Sequence, residues 1–124
     1  MGRYNKDLGD FGEETAEAYL IDSGYEILCR NFCVKGGEID IVAMDNDTLV
    51  FIEVKTRSSS KYGYPSEAVD RKKLEHMRHA AEMYILENPI ESEIRFDVIE
   101  VYAALRDSIP QFSELNHIKE IVID

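Results

Sequence analysis

Hydrophobic and polar positions along this chain follow two different periods. Over residues 6–23, Leu8, Phe11, Thr15, Ala18 and Tyr19 recur near helical spacing, which predicts an amphipathic helix with one face on a core. Gly24 is a natural C-terminal stop. Gly9 and Gly12 weaken this helix by about 1 kcal/mol each relative to Ala. That cost points to close approach of some group to the helix backbone. Residues 25–34, 38–44 and 48–55 are short apolar runs rich in β-branched and aromatic residues, and they predict three strands. Lys35-Gly36-Gly37 separates the first two, and a turn around Asp45-Asn46-Asp47 makes the last two a hairpin. After a loop over residues 58–65, Ser66 caps a second helix to about Glu87, with Val69, Met77, Ala80, Ala81 and Tyr84 along one side. Asn88-Pro89 ends it. Residues 94–102 predict a fourth strand, and Ile118 to Ile123 an edge strand or docked tail.

The order is helix, three strands, helix, strand, so the fold class is α/β. A meander followed by a crossover helix and a further strand gives a mixed sheet flanked by helices. With Asn46-Asp47 as the hairpin loop, Asp40 faces Glu53, Val42 faces Phe51 and Met44 faces Leu49. Alternation then places Asp40, Val42, Met44, Leu49, Phe51, Glu53 and Lys55 on one face. The other face carries Ile39, Ile41, Ala43, Val50, Ile52 and Val54. Both faces are mainly apolar, the pattern of central strands covered on both sides.

The 124 residues suit one domain, 1–124, with enough apolar side chains for a core. No apolar stretch nears the ~20 residues of a membrane span, and no signal region follows the N-terminus. A soluble cytoplasmic protein is expected. Cys29 and Cys33 are too few for a disulfide framework. On one strand they lie about 13 Å apart at ~3.3 Å per residue, so buried free thiols are expected. The net charge of −11 argues against a general nucleic-acid binder. Its distribution is uneven: residues 1–53 carry a net −8, residues 54–79 a net +4, and residues 80–124 a net −7. One basic segment inside an acidic chain permits local phosphate binding with weak non-specific affinity.

Candidate chemistry sits at one end of the hairpin. Asp40 and Glu53 share a face with Lys55 on an otherwise apolar background. Charges there must be paired or bind a metal, and two facing carboxylates repel unless a cation lies between them. Lys55 neutralises only one. A divalent cation satisfies both, and Mg²⁺ uses few protein carboxylates, keeps waters and accepts substrate phosphate. That set fits phosphodiester hydrolysis, with Lys55 orienting the attacking water or neutralising developing charge. An ion-paired sheet end without catalysis is the competing reading.

Gly37-Glu38-Ile39-Asp40 followed by Glu53-Val54-Lys55 resembles the Asp…Glu-x-Lys signature of the PD-(D/E)XK, or restriction-endonuclease-like, nucleases. The wider set resembles the YraN family of small bacterial proteins, which are similar to archaeal Holliday-junction resolvases. It comprises Gly9-x-x-Gly12-Glu13, Gly24-Tyr25, Arg30-Asn31, Phe51 through Arg57, Gly63-Tyr64-Pro65, Lys72-Lys73 and Arg95-Phe96-Asp97-Val98, covering about the first hundred residues. The resemblance implies a restriction-endonuclease-like αβββαβ core. It implies Asp40 and Glu53 as ligands of Mg²⁺ (or Mn²⁺), Lys55 as the catalytic lysine and Glu13 as a third acidic residue of the site. DNA, branched or damaged, is the implied partner, and cutting two symmetric strands implies a homodimer. Ile39 stands at the position of the proline in the superfamily's name. A non-catalytic module on this fold, binding nucleic acid or a repair partner, is the alternative, and the −11 charge favours it.

Among the remaining residues, Arg57 has two readings, a phosphate clamp or a surface ion pair. Lys72 and Lys73 are candidate contacts to backbone phosphates. Tyr62 and Tyr64 offer stacking surfaces, with packing the default. His76 and His79 lack a third metal ligand and read as solvated helix residues. His117 shows no partner.

Overall fold

In a computed structural model, residues 2–58 and 71–123 are described. The elements are α1 (Gly2–Asp22), β1 (Glu26–Val34), β2 (Gly37–Asp45), β3 (Thr48–Ser58), α2 (Arg71–Glu87), β4 (Glu93–Arg106) and β5 (Ile109–Ile118). One sheet runs in the order β1-β2-β3-β4-β5. Its pairs are antiparallel except β3 with β4, which are parallel and joined through α2. The mixed sheet and the two helices are those the pattern predicts. The loop over 59–65, Ser66 and Val69 lie outside the described residues.

Local chemistry sets the turns. Gly24 closes α1 at φ 95°, where the Tyr25 N–H reaches the Leu20 carbonyl at 2.9 Å and the Gly24 N–H reaches that of Ile21 at 3.0 Å. This double bond satisfies carbonyls that the helix end leaves open. The β2–β3 register runs as predicted from Asp45↔Thr48 to Ile41↔Ile52, around Asn46 at φ 55°.

The two helices cover opposite faces. Ile41, Ala43, Val50, Ile52 and Val54 join Ile99 and Val101 against Ala16 and Leu20 of α1. Val42, Leu49 and Phe51 pack with Met77, Ala80, Ala81 and Tyr84 of α2. Two predicted placements change. Ala18 is exposed, and the buried line of α1 runs through Leu8, Gly12, Ala16 and Leu20. A Cβ on Gly12 would collide with the Thr56 side chain, so the missing side chain lets α1 lean on β3 along that line. Ile39 belongs to the α2 side with Phe32, not to the side of Ile41. Strand alternation breaks here: Asn31 stands at φ 53° in β1, between Arg30, which pairs with α1, and Phe32, whose ring meets Tyr84 of α2. Cys33 is exposed and Cys29 half-buried, so the thiols are free but neither is buried as expected.

The chain also builds a strand that its pattern conceals. Residues 109–118 form β5 on the sheet edge, after a two-residue turn in which Asp107 and Ser108 take φ 52° and 65°. Edge exposure lets its polar residues alternate without an apolar face, so no periodicity marks it. Beyond it, the segment at Ile121 docks as a tail, donating its N–H to the Phe96 carbonyl at 2.8 Å.

β5 and the tail close over a buried polar cluster. Asp97, with no exposed surface, accepts from Arg95 Nε at 2.9 Å and from the Glu120 N–H at 3.1 Å. His117, which shows no partner in sequence, bonds Asp97 Oδ2 through Nε2 at 2.8 Å and the Tyr19 hydroxyl through Nδ1 at 2.8 Å. A carboxylate only accepts, so Nε2 carries the proton. Arg95 also reaches Asp45 and the Tyr25 hydroxyl. The Asp97→Ala substitution leaves a buried guanidinium short of a partner and is expected to cost about 3–5 kcal/mol, read by urea unfolding.

Candidate active site

Strand β3 carries the site because successive side chains leave it on alternate faces. Glu53 continues the line of Leu49 and Phe51 into the α2 side and is only 2% exposed. Its Oε2 lies 3.7 Å from Lys55 Nζ and 3.6 Å from Lys73 Nζ. Its Oε1 is buried and has no hydrogen-bond partner among the described residues. Asp40 stands where the β2–β3 ladder stops, one residue past Ile41↔Ile52. There its Oδ2 accepts the Val54 N–H at 2.8 Å, taking the donor that a continued ladder would give to a backbone carbonyl. The predicted cluster of Asp40, Glu53 and Lys55 is therefore assembled.

Glu13 comes to the same region from α1. It pairs with Arg30 at 3.3 Å, and Arg30 also holds Glu17 at 3.1 Å. With Gly9, Val54, Lys55, Thr56 and Ser58, Glu13 lines a cleft of about 300 Å³ between α1 and the end of β3. Burial raises its pKa, the charge of Asp40 raises it further, and Arg30 opposes both.

Lys73, expected to track phosphates, faces inward instead. Its Nζ donates to Glu38 Oε1 at 3.0 Å while approaching Glu53. Gly37 makes this possible: a Cβ there would collide with the His76 carbonyl, so only glycine lets α2 sit this close to β2. Glu38 is a neighbour of the cluster that the pattern does not single out, and Lys73, read as a phosphate contact, meets it there. The glycine inside a strand was the available signal. Arg57 follows its ion-pair reading, with Nε donating to Glu100 Oε2 at 3.0 Å. Lys72 is exposed on α2. His76 and His79 are exposed, and His79 bonds the Lys35 carbonyl at 3.1 Å. Tyr62 and Tyr64 lie outside the described residues.

Burial pushes the Glu53 carboxyl up to about 8, helped by the neighbouring Asp40 charge and opposed by Lys73 and Lys55. Both lysines approach Oε2 of Glu53, and among the described residues Oε1 has no partner. This donor set fits a hard cation that takes few protein oxygens. Asp40 and Glu53 are the acidic residues whose position could serve such an ion. Among the described residues no group of three or more His, Cys, Asp and Glu side chains converges for a metal, so an all-protein cage is absent there.

The order of elements and the acidic pair can be set beside known sequences. The family described as "Uncharacterised protein family UPF0102" matches residues 12–101. The chain belongs to UPF0102. A UPF0102 protein of Caldicellulosiruptor saccharolyticus is 46% identical over 105 residues, spanning 84% of this chain and 89% of that protein. Another, from Clostridioides difficile, is 50% identical over 79% of this chain and 87% of its own length. A third, from Alkaliphilus oremlandii, is 51% identical over 78% and 86%. The matched span of this UPF0102 chain includes Glu13, Asp40, Glu53, Lys55, Arg57, Lys72 and Lys73.

The raised Glu53 carboxyl sets a pH dependence of stability. The unfolded carboxyl releases its proton near 4.5 and the folded one near 8, so the folded state holds more protons between those values. Stability is full below that window and falls as pH rises through it, by at most about 1.4 kcal/mol per pH unit. Urea unfolding of the metal-free protein is expected to show this decline, and Glu53→Gln to flatten it.

Proposed function

We propose that this UPF0102 protein is a metal-dependent endonuclease that hydrolyses DNA phosphodiester bonds, with branched or damaged DNA as substrate. The observation that carries the reading is Glu53: a carboxyl group 2% exposed, with one oxygen unpartnered among the described residues, beside Asp40 and within 3.7 Å of Lys55. A buried oxygen left without a partner costs about 1–3 kcal/mol, and a bound cation at Oε1 would remove that cost. Asp40 and Glu53 would hold Mg²⁺ or Mn²⁺. When bound, the ion supplies a lowered pKa for its water and positive charge against the phosphate.

The chain's own groups do the rest. Lys55 projects from β3 at the exposed end of the cluster and is in place to orient the attacking water or to neutralise charge developing on the phosphate. Glu13, across the cleft from Lys55, adds a third acid within electrostatic reach of Asp40. Lys73 is occupied by Glu38, which leaves Lys55 as the lysine toward substrate. We place the protein in the cytoplasm as one domain, and assign a homodimer because two symmetric cuts need two sites. Among the described residues no helix is long and apolar enough to cross a membrane.

A non-catalytic module, binding nucleic acid or a repair partner, is the second reading, and one observation favours its partner-binding form. Within the basic segment, Arg57 and Lys73 engage Glu100 and Glu38, so the fold already uses charge that a phosphate backbone would need. Calorimetric titration of Mg²⁺ and Mn²⁺ separates the two. Saturable binding is expected in the wild type and its loss in the Asp40→Asn, Glu53→Gln double variant. Cleavage of a four-way DNA junction is expected to drop at least about a hundredfold in Asp40→Asn while junction binding persists. No saturable binding up to ~10 mM, with DNA absent and then present, would select the binding module.

A further inference from the structure

Two glycines in α1 have opposite structural accounts. Gly12 is required by the fold, because Thr56 occupies the space of its Cβ. Gly9 is not: among the described residues nothing lies within 4 Å of a Cβ built there. Glycine in a helix is the weakest former after proline. Position 9 therefore gives up helix stability with no packing gain among the described residues. Its open side faces the cleft of about 300 Å³ that Glu13, Lys55, Thr56 and Ser58 also line.

We infer that Gly9 floors a subsite where the sugar–phosphate backbone of a single nucleotide lies directly against α1, beside Lys55. The inference rests on the nuclease reading and names the part of the substrate this cleft takes. Three features support it. The cleft is at the bottom of the roughly 300–1,000 Å³ span of ligand sites, room for one nucleotide and not for a duplex. Lys55 and Ser58 are among its lining residues, a cation and a hydroxyl of the kinds a phosphodiester accepts from, while the Thr56 hydroxyl lies against Gly12. Glycine is the residue that permits another backbone to approach a helix closely, as Gly12 does internally for Thr56.

Gly9→Ala and Gly9→Leu, made in the full chain, test it because they separate folding from binding. Both are expected to raise Tm, by about 3–5 °C for Ala, since each is a better helix former than glycine. Both are expected to weaken binding of a fluorescein-labelled four-way DNA junction, followed by anisotropy in an Asp40→Asn background that prevents cutting. The expected loss is about tenfold for Ala and a hundredfold for Leu, in proportion to the space filled. A lowered Tm in Gly9→Ala would show that the fold itself requires glycine and would overturn the subsite. So would junction affinity unchanged in Gly9→Leu. If the wild type binds the junction but never cuts it in Mg²⁺, and Gly9→Leu still weakens binding, the nuclease reading falls and the subsite stands. If the wild type binds no DNA, both fall.

Discussion

A carboxyl group removed from water must either keep its proton or find a counter-charge inside the fold, and at Glu53 that requirement organises the end of the central strands. The sheet is covered on both faces, so the line of side chains running from Leu49 through Phe51 is dry when it reaches Glu53. Two lysines approach one oxygen of Glu53, and Asp40 stands close enough to push its proton affinity up. The positions of Asp40, Lys55 and Lys73 all answer to this one buried group. Oε1, without a partner among the described residues, is what distinguishes the arrangement from a completed ion pair.

The opposite face solves the same problem differently. Asp97 is buried as completely as Glu53, yet Arg95, His117 and a backbone N–H satisfy it. Burial alone would raise its pKa, but the bonds from His117 and Arg95 outweigh burial and hold it below the usual carboxylate range. Two buried acids in one sheet thus shift in opposite directions. The satisfied one ties β5 and the tail to the sheet, and the unsatisfied one marks the site. Perturbed groups with an open valence are the stronger functional signal.

Close backbone approach is the second constraint. Gly12 brings α1 onto β3 and Gly37 brings α2 onto β2, so the helices that deliver Glu13 and Lys73 are both seated through glycines. The acidic surface follows from the same economy of charge. Much of the basic segment is spent internally, Lys73 on Glu38 and Arg57 on Glu100. Substrate shape, in place of a broad positive field, then carries recognition in the proposed reaction.

Periodicity and turn chemistry by themselves determined the α/β class, the two helices, the first four strands and the hairpin register, because each depends on neighbours a few residues apart. The same pattern placed Asp40, Glu53 and Lys55 near one another, although the paired ladder stops at Ile41↔Ile52 and Asp40 meets the Val54 N–H in place of a ladder partner. Tertiary structure alone decided the rest. β5 has a polar edge with no period to read, and His117 meets Tyr19 across 98 positions of sequence. Ile39 changed sides because the strand is irregular at Asn31 and Asp40. Lys73 turned inward because Gly37 admits α2, a fact about the distance between two backbones. Local pattern specifies which residues share a face. Which helix reaches that face, and which charge it brings, depends on packing between elements far apart in the chain.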